Sequence, residues 1–440
     1  MLLQIEHITT SLSEFIWPLF LPVLLVLAVF VGYKTIFVVK NKITQKGMIK
    51  FSYFVGPVSI SLGAMVGTGA IIGVLGSLSK LNSFGQMHIE AMSLWAVIGG
   101  LILVPLNYSE TMVTKITKSP PHQYLSFLIS PLAGKVYGLS FVTLYIFGFG
   151  GFQFSGIDTA ITIINTRFFD INFSEPQRYL FIVVPLIIFL ASIVLIKKHN
   201  IFINALSSMI GAAVIMYFVF VIFFFIKTAN YFDTYLANIW IGFTNPVSMM
   251  LGVPTGLILG FQRIIQTSET GLGALGMASL EADSKAREAG IISIIPTVIT
   301  IFVALIVTNY ITSYGYAKGF IILSRDGVQA NGIERLTGFF NTAIEVTGDI
   351  GLFVMLFFTI LSGVTTLLGS YYFLGILTNL KENQKILAYL VLITSAGTLA
   401  VFGFTIIFDV VDLLLFVVIS LNVTGLAKFM HREYRQYKYK

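Results

Sequence analysis

Apolar runs of about 20 residues recur along the whole chain, separated by short polar intervals in which the charges collect. A helix of that length, rising 1.5 Å per residue, spans the roughly 30 Å hydrocarbon layer of a bilayer. Eleven such runs are read, at about 17–39, 55–79, 91–113, 136–163, 178–197, 201–227, 249–277, 288–313, 348–377, 384–407 and 409–428. The pattern predicts an all-α, polytopic membrane protein of about eleven transmembrane helices. The longest polar interval, about 314–347, suits a surface loop with short helices and is too small for a second domain.

Charge placement orients the chain. Of the 27 Lys and Arg residues, 18 fall on one side of the eleven-span scheme, 7 on the other, and Lys34 and Arg263 lie within spans. Cytoplasmic loops carry the excess of Lys and Arg, so the N-terminus is expected outside and the C-terminus in the cytoplasm of a cell (inner) membrane. A missed span would scramble that alternation. The net charge of +7 and the tail HREYRQYKYK therefore read as an orientation signal beside anionic lipid, and no nucleic-acid partner is expected. The 56% hydrophobic and 11% charged composition agrees with a membrane protein. The absence of cysteine excludes disulfides and thiolate metal sites. The first run follows an acidic segment with Glu6 and Glu14 and has no small-residue cleavage site, so it reads as a retained span.

Two runs break the rule that a span is a good helix. SISLGAMVGTGAIIGVLG, residues 59–76, carries glycines at 63, 67, 69, 73 and 76, and Gly256 to Gly276 repeats the pattern around TSETGLGALG. Glycine costs roughly 1 kcal/mol relative to alanine in a helix interior. In hydrocarbon a loosened backbone survives only where protein or a watery cavity receives its polar groups. Two interrupted spans, second and seventh, predict a 5+5 inverted repeat with two discontinuous helices and a binding site between them. The division is 1–54, an extra N-terminal helix and cytoplasmic loop; 55–228 and 229–428, the five-helix repeats; and 429–440, the basic tail.

An unwound span offers free N–H groups at one half-helix end and free carbonyls at the other. That suits a zwitterion: a carboxylate at the amides around Gly67 to Gly69, an ammonium at carbonyls near Thr267 and Gly271. Close helix packing is the alternative use of such glycines. Ser362, Thr365 and Thr366 share one face of the ninth span; their hydroxyls either ligate sodium with freed carbonyls or bond back to their own helix. Among ionisable groups within spans, Glu269 and Arg263 flank the second interruption, and Glu269 lies too far along the chain to pair with Arg263 on a continuous helix. Glu110, Asp158, Asp409 and Asp412, nearer span ends, read as snorkelling or capping groups. The five histidines have no metal-ligand spacing, and no nucleophile–base pair is visible, so no enzyme is expected.

The ordered motifs resemble the alanine or glycine:cation symporter family. VGTGAIIGV at Val66 to Val74 is similar to the family's VGTGNIAGV, and GFQRIIQTSETGLG at Gly260 to Gly273 to its GxxRGxFSNEAGxG. Asn238-Ile239 and Phe243 to Pro246 resemble its NI and AFTP segment, Thr365 to Gly369 its STILG, and Asp412 with Asn422 the spacing in its last span. The resemblance runs from about residue 51 to 428. It implies the leucine-transporter-like inverted-repeat fold and a sodium-coupled amino-acid symporter. It also implies a sodium site of the Gly63, Val66 and Ser362 carbonyls with the Thr365 and Thr366 hydroxyls. The implied substrate site is Gly67, Thr68, Gly69, Gln266, Thr267, Glu269 and Gly271. Ala70 stands where the family has Asn, and Gln266-Thr267-Ser268 where it has FSN. Ser370, where Trp is common, implies a roomier or more polar pocket.

The expected function is import of a small neutral amino acid of the alanine, glycine or serine class with sodium, by alternating access. Its partners are that substrate, sodium and the lipid bilayer, with no cofactor and no obligate protein partner. Proton coupling through Glu269 and a non-transporting ligand-binding sensor are the alternatives.

Overall fold

The computed structural model describes every residue except 1, 40–56, 63–66, 84–87, 197–198, 245–252, 326–327, 330–331, 403 and 432–440. Helix dominates because a backbone crossing hydrocarbon must satisfy its N–H and C=O groups within its own segment. In chain order the helices are α1 (Leu2–Tyr33), α2 (57–62), α3 (Thr68–Ser83), α4 (Ala91–Thr117), α5 (Pro121–Leu128), α6 (Pro131–Phe169), α7 (Glu175–Leu195), α8 (His199–Lys227) and α9 (Phe232–Thr244). They continue as α10 (Val253–Ser268), α11 (Ala274–Ser279), α12 (Ala286–Ala317), α13 (Gly332–Leu377), α14 (Glu382–Phe402) and α15 (Phe404–His431). A two-stranded antiparallel hairpin, β1 (Ser324–Arg325) and β2 (Val328–Gln329), precedes α13.

Among the described residues, nine helices are long and apolar enough to cross a bilayer: α1, α4, α6, α7, α8, α12, α13, α14 and α15. The second and seventh runs are instead interrupted. In the second, Gly67 is a bend and helix starts at Thr68; in the seventh, helix stops at Ser268 and restarts at Ala274. Each interrupted pair is followed by four uninterrupted spans. The protein is thus an all-α, multi-pass membrane protein.

Outward-facing apolar side chains such as Leu101, 75% exposed, and Ile350, 76% exposed, have no protein to cover them and present themselves to lipid. The interior is different. Polar residues buried there, including Asn107, Glu110, Gln153, Arg263, Glu269 and Asn422, line the faces of α4, α6, α10 and α15 that enclose the interrupted pair. α13 bends at Gly348, whose φ of 70° is open to glycine at no steric cost, so the arm 332–347 does not continue the line of the span that follows. The hydropathy pattern places that same boundary at 348.

α1 packs against α15 and α4. The Trp17 indole N–H donates to the Asp412 carbonyl at 3.1 Å, and the Ser109 hydroxyl donates to Thr35 Oγ1 at 2.8 Å, so the extra span, Phe15–Val39, is bonded near both of its ends.

Candidate functional site

The second interruption is a left-handed stretch. Glu269, Gly271 and Gly273 have φ of 51°, 76° and 97°. The region is hospitable to glycine and costs an L side chain roughly 1–2 kcal/mol, so the two glycines make the turn and Glu269 bears strain. The backbone groups released there are met by side chains from other helices. Gly271 N–H donates to Asn107 Oδ1 (3.3 Å) and Gly273 N–H to Glu110 Oε2 (3.0 Å), both on α4. The Gly271 carbonyl accepts from Asn422 Nδ2 on α15 at 2.8 Å, and the Leu272 carbonyl from the Tyr137 hydroxyl on α6. Asn422 also receives the Tyr124 hydroxyl of α5 on its oxygen and donates to Glu110 Oε2 at 3.3 Å. Asn107 Nδ2 donates to Thr297 of α12 at 2.6 Å and to Thr270 at 3.0 Å.

At the start of α3, the described side of the first interruption, the partner is Gln153 of α6. Its Oε1 accepts from Thr68 N–H at 3.1 Å and from Thr68 Oγ1 at 2.9 Å. A Cβ at Gly67 would lie 2.7 Å from the Gln153 carboxamide, so glycine is what allows this approach. A helix N-terminus attracts negative charge, and Gln153 supplies a neutral oxygen there.

Arg263 joins the two interrupted helices on one side of the breaks. Its Nε donates to Ser77 of α3 at 2.8 Å, Nη1 to Gln266, and Nη2 to the Asp412 carboxylate at 3.1 Å. Gln266 in turn leans on α3, its Oε1 lying 2.7 Å from where a Gly73 Cβ would be. Glu269 takes no part in this. It is 0% exposed and neither carboxyl oxygen has a hydrogen-bond partner. The Tyr145 hydroxyl, on a π-helical stretch of α6, points toward it without completing a bond of normal geometry. A buried carboxyl without a partner is costly unless it meets a cation or a proton.

On α13, the Thr365 and Thr366 hydroxyls both donate to the Ser362 carbonyl at 2.9 Å. That is the back-bonded arrangement; it also gathers three oxygens on one face, and each hydroxyl keeps lone pairs for a cation. Between α2, α4, α11 and α12 lies a small, partly open pocket with room for about one water, about 10 Å³, and with Ser61, Thr111, Ser279, Ser284 and Ser293 in its wall. Thr111 is buried there with its hydroxyl unbonded.

Gly67, Thr68, Gly69, Gln266, Thr267, Glu269, Gly271, Ser362, Thr365 and Thr366 are all buried. Gly63, Val66, Asn245, Pro246 and the side chain of Asp409 lie outside the described residues. The structure adds partners that spacing did not show. The Gly271 carbonyl accepts from Asn422 and keeps a second lone pair, and the Thr267 hydroxyl donates to the Arg263 carbonyl at 2.6 Å. Glu269 is satisfied by no described group. Of the carboxyls expected to snorkel or cap, Asp412 instead pairs with Arg263 and Asp158 with Arg178 at 2.8 Å, while Glu110, fully buried, accepts the Gly273 amide at the start of α11 as a capping group does. Gln153, Tyr145 and Asn107 were missed by sequence reasoning. The one signal for Gln153 was a lone amide in the apolar run GGFQFSG.

No protein-family model matches the sequence. No curated protein does either. The structure superposes on a manganese transporter of Eremococcus coleocola in two mutant forms. One gives a TM-score of 0.53 at 12% identity, covering 88% of this chain and 81% of that one. The other gives 0.51 at 13% identity, covering 88% and 82%. The chain has the fold of a membrane transporter. A Na+-coupled sialic acid symporter in a substrate-bound outward-open state aligns over 91% of this chain and 80% of that one, with 13% identity and a TM-score of 0.49. At these identities the fold alone is shared, and the likeness to the alanine or glycine:cation symporters stands on the motifs quoted above.

Proposed function

We propose that the protein is a sodium-coupled symporter of a small neutral amino acid, working by alternating access in the cell membrane with its Lys- and Arg-rich loops inside. The observation that carries this reading is the pairing of an amide-bearing helix start at Thr68 with the buried, unpartnered carboxyl of Glu269. One end suits a carboxylate and the other an ammonium, so a zwitterion answers both. Gln153 Oε1 then holds the place of the substrate carboxylate and withdraws, or turns its Nε2 toward it, when substrate binds. Glu269, with the Gly271 carbonyl, faces the ammonium.

Sodium is assigned to Ser362, Thr365 and Thr366 with the carbonyls of Gly63 and Val66. Purified protein in liposomes is expected to accumulate alanine, glycine or serine faster under an inward sodium gradient; equal uptake with and without sodium removes the coupling. Proton coupling is the second reading, because an unpartnered buried carboxyl is also a proton carrier. Thr365→Val with Thr366→Val separates the two. Sodium-driven uptake stops in that variant, and proton-driven uptake continues.

A further inference from the structure

Two tyrosines of α6, Tyr137 and Tyr145, are fully buried and both reach the second interruption. Tyr137 is bonded there, its hydroxyl donating to the Leu272 carbonyl. Tyr145 is not: its hydroxyl faces the Glu269 carboxyl, yet neither it nor either carboxyl oxygen has a hydrogen-bond partner of normal geometry. Its ring is held fast. It stacks on Phe141 with 4.2 Å between centroids and 9° between planes, and Phe149 and Phe373 each meet it edge-on at 5.0 Å. The π-helical turn Thr143–Phe149 that carries it is a rare distortion, frequent at functional sites. Only the hydroxyl hydrogen is left to turn. A buried hydroxyl without a partner is destabilising, and phenylalanine, used at 141, 149 and 373, would fill the same space without one.

We infer that Tyr145 and Glu269 together form the seat of a primary ammonium group, with Tyr145 setting how many N–H donors that group must bring. That the ammonium is the substrate's own rests on the function proposed above. An ionised carboxyl only accepts hydrogen bonds, whereas a hydroxyl accepts on its lone pairs and donates its one proton. A primary ammonium between them gives one N–H to a Glu269 oxygen, one to Tyr145 Oη and one to the Gly271 carbonyl, while the Tyr145 O–H turns to the second Glu269 oxygen. Three donors meet three acceptors. An N-methylated substrate brings fewer and leaves the Tyr145 oxygen unpaired, the situation in which a buried polar site rejects an analogue most strongly.

The test has two arms, both on the full-length protein. In the first, melting is followed as tetramethylammonium chloride is replaced by methylammonium chloride at constant ionic strength, sodium and pH. Methylammonium should raise the wild-type melting temperature saturably, leave Glu269→Gln unmoved and require about tenfold more to act on Tyr145→Phe. Without methylammonium, Tyr145→Phe should melt no lower than the wild type, since it keeps the ring contacts and loses an unpaired hydroxyl; a marked fall shows the hydroxyl bonded in the empty protein and overturns the proposal. No wild-type response, or an equal one in Glu269→Gln, overturns the ammonium seat. An equal half-saturating concentration in Tyr145→Phe overturns the part given to its hydroxyl. In the second arm, the wild type should take up glycine with a KM about tenfold or more below that for N-methylglycine. Tyr145→Phe should raise the glycine KM about tenfold at unchanged kcat and leave that for N-methylglycine nearly where it was, erasing the preference. A preference kept intact in Tyr145→Phe overturns its role in specificity. A methylammonium response with no wild-type uptake of alanine, glycine or serine strikes the proposed function and leaves the ammonium seat standing.

Discussion

At the second interruption, Gly271, Leu272 and Gly273 are fastened from α4, α6 and α15 by Asn107, Glu110, Tyr137 and Asn422. At the described edge of the first, Thr68 is met from α6 alone, by the Gln153 carboxamide oxygen and, at 3.4 Å from its hydroxyl, by the Phe152 carbonyl. Both segments are rich in glycine, yet in one the loosened backbone is bonded from three helices, while at the described edge of the other the Thr68 amide meets one neutral side chain. A clasp of several cross-helix bonds, each leaving an unpaired buried group if broken, resists rearrangement. A single amide oxygen at a helix start is replaceable by a better anion. The contrast points to the first interruption as the place where ligand exchange happens and the second as the wall it happens against.

The largest effect should come from breaking the clasp. Asn422→Ala leaves the Gly271 carbonyl and the Tyr124 hydroxyl without their partner and takes one donor from Glu110. Each orphaned buried group costs about 1–3 kcal/mol, so a loss of roughly 3 kcal/mol is expected, read as a marked fall in melting temperature in detergent. A variant that melts with the wild type would show that the second interruption is no more rigidly held than the first.

Glu269→Gln should act in the opposite way. Its carboxyl makes no hydrogen bond, so a neutral isostere forfeits none and melting should not fall. Substrate affinity, however, loses a charge-assisted bond of about 1.5–3 kcal/mol, roughly a tenfold to hundredfold rise in KM. A variant that is destabilised while keeping its uptake would make Glu269 part of the frame. Gln153→Ala comes next. It removes the acceptor of Thr68 N–H and Oγ1 and should cost about 1 kcal/mol of stability, well below Asn422→Ala. Its uptake should change in KM more than in melting; the reverse would cancel the distinction between the two interruptions.

What was legible in the sequence follows from what the bilayer forces to be local. Each span must bury its own backbone bonds, so a window of 20 residues already contains the evidence for it, and the interruptions at Gly67 and Gly271 announce themselves in the same window. Even the bend at Gly348 coincides with a hydropathy boundary. The partners of the interruptions are not local. Asn422 lies 151 residues from Gly271, and Asp412 lies 149 from Arg263. Nothing in a single chain fixes which of several buried polar groups meets which. That is why Glu269 could be singled out as costly while its lack of a partner could not be read, and why Gln153 and Tyr145 surface only with the packing. The resemblance to known symporters named Asp412 and Asn422 without saying what either holds.

The smallest effect tests whether the comparison is complete. Arg167 and Asp349 pair at 3.0 Å directly beside the Gly348 bend, with side chains 44% and 54% exposed. Exposed pairs are screened and must order two flexible side chains, so Asp349→Asn should cost no more than about 0.5 kcal/mol and leave uptake within twofold. If transport rests on the two interruptions, a weak tie at the outer hinge of α13 is irrelevant to its rate. If Asp349→Asn instead slows uptake several-fold without lowering the melting temperature, the motion of the arm 332–347 about Gly348 limits the cycle. The rigid and yielding parts of the molecule would then divide at that bend, and the difference between the two glycine runs would concern binding alone.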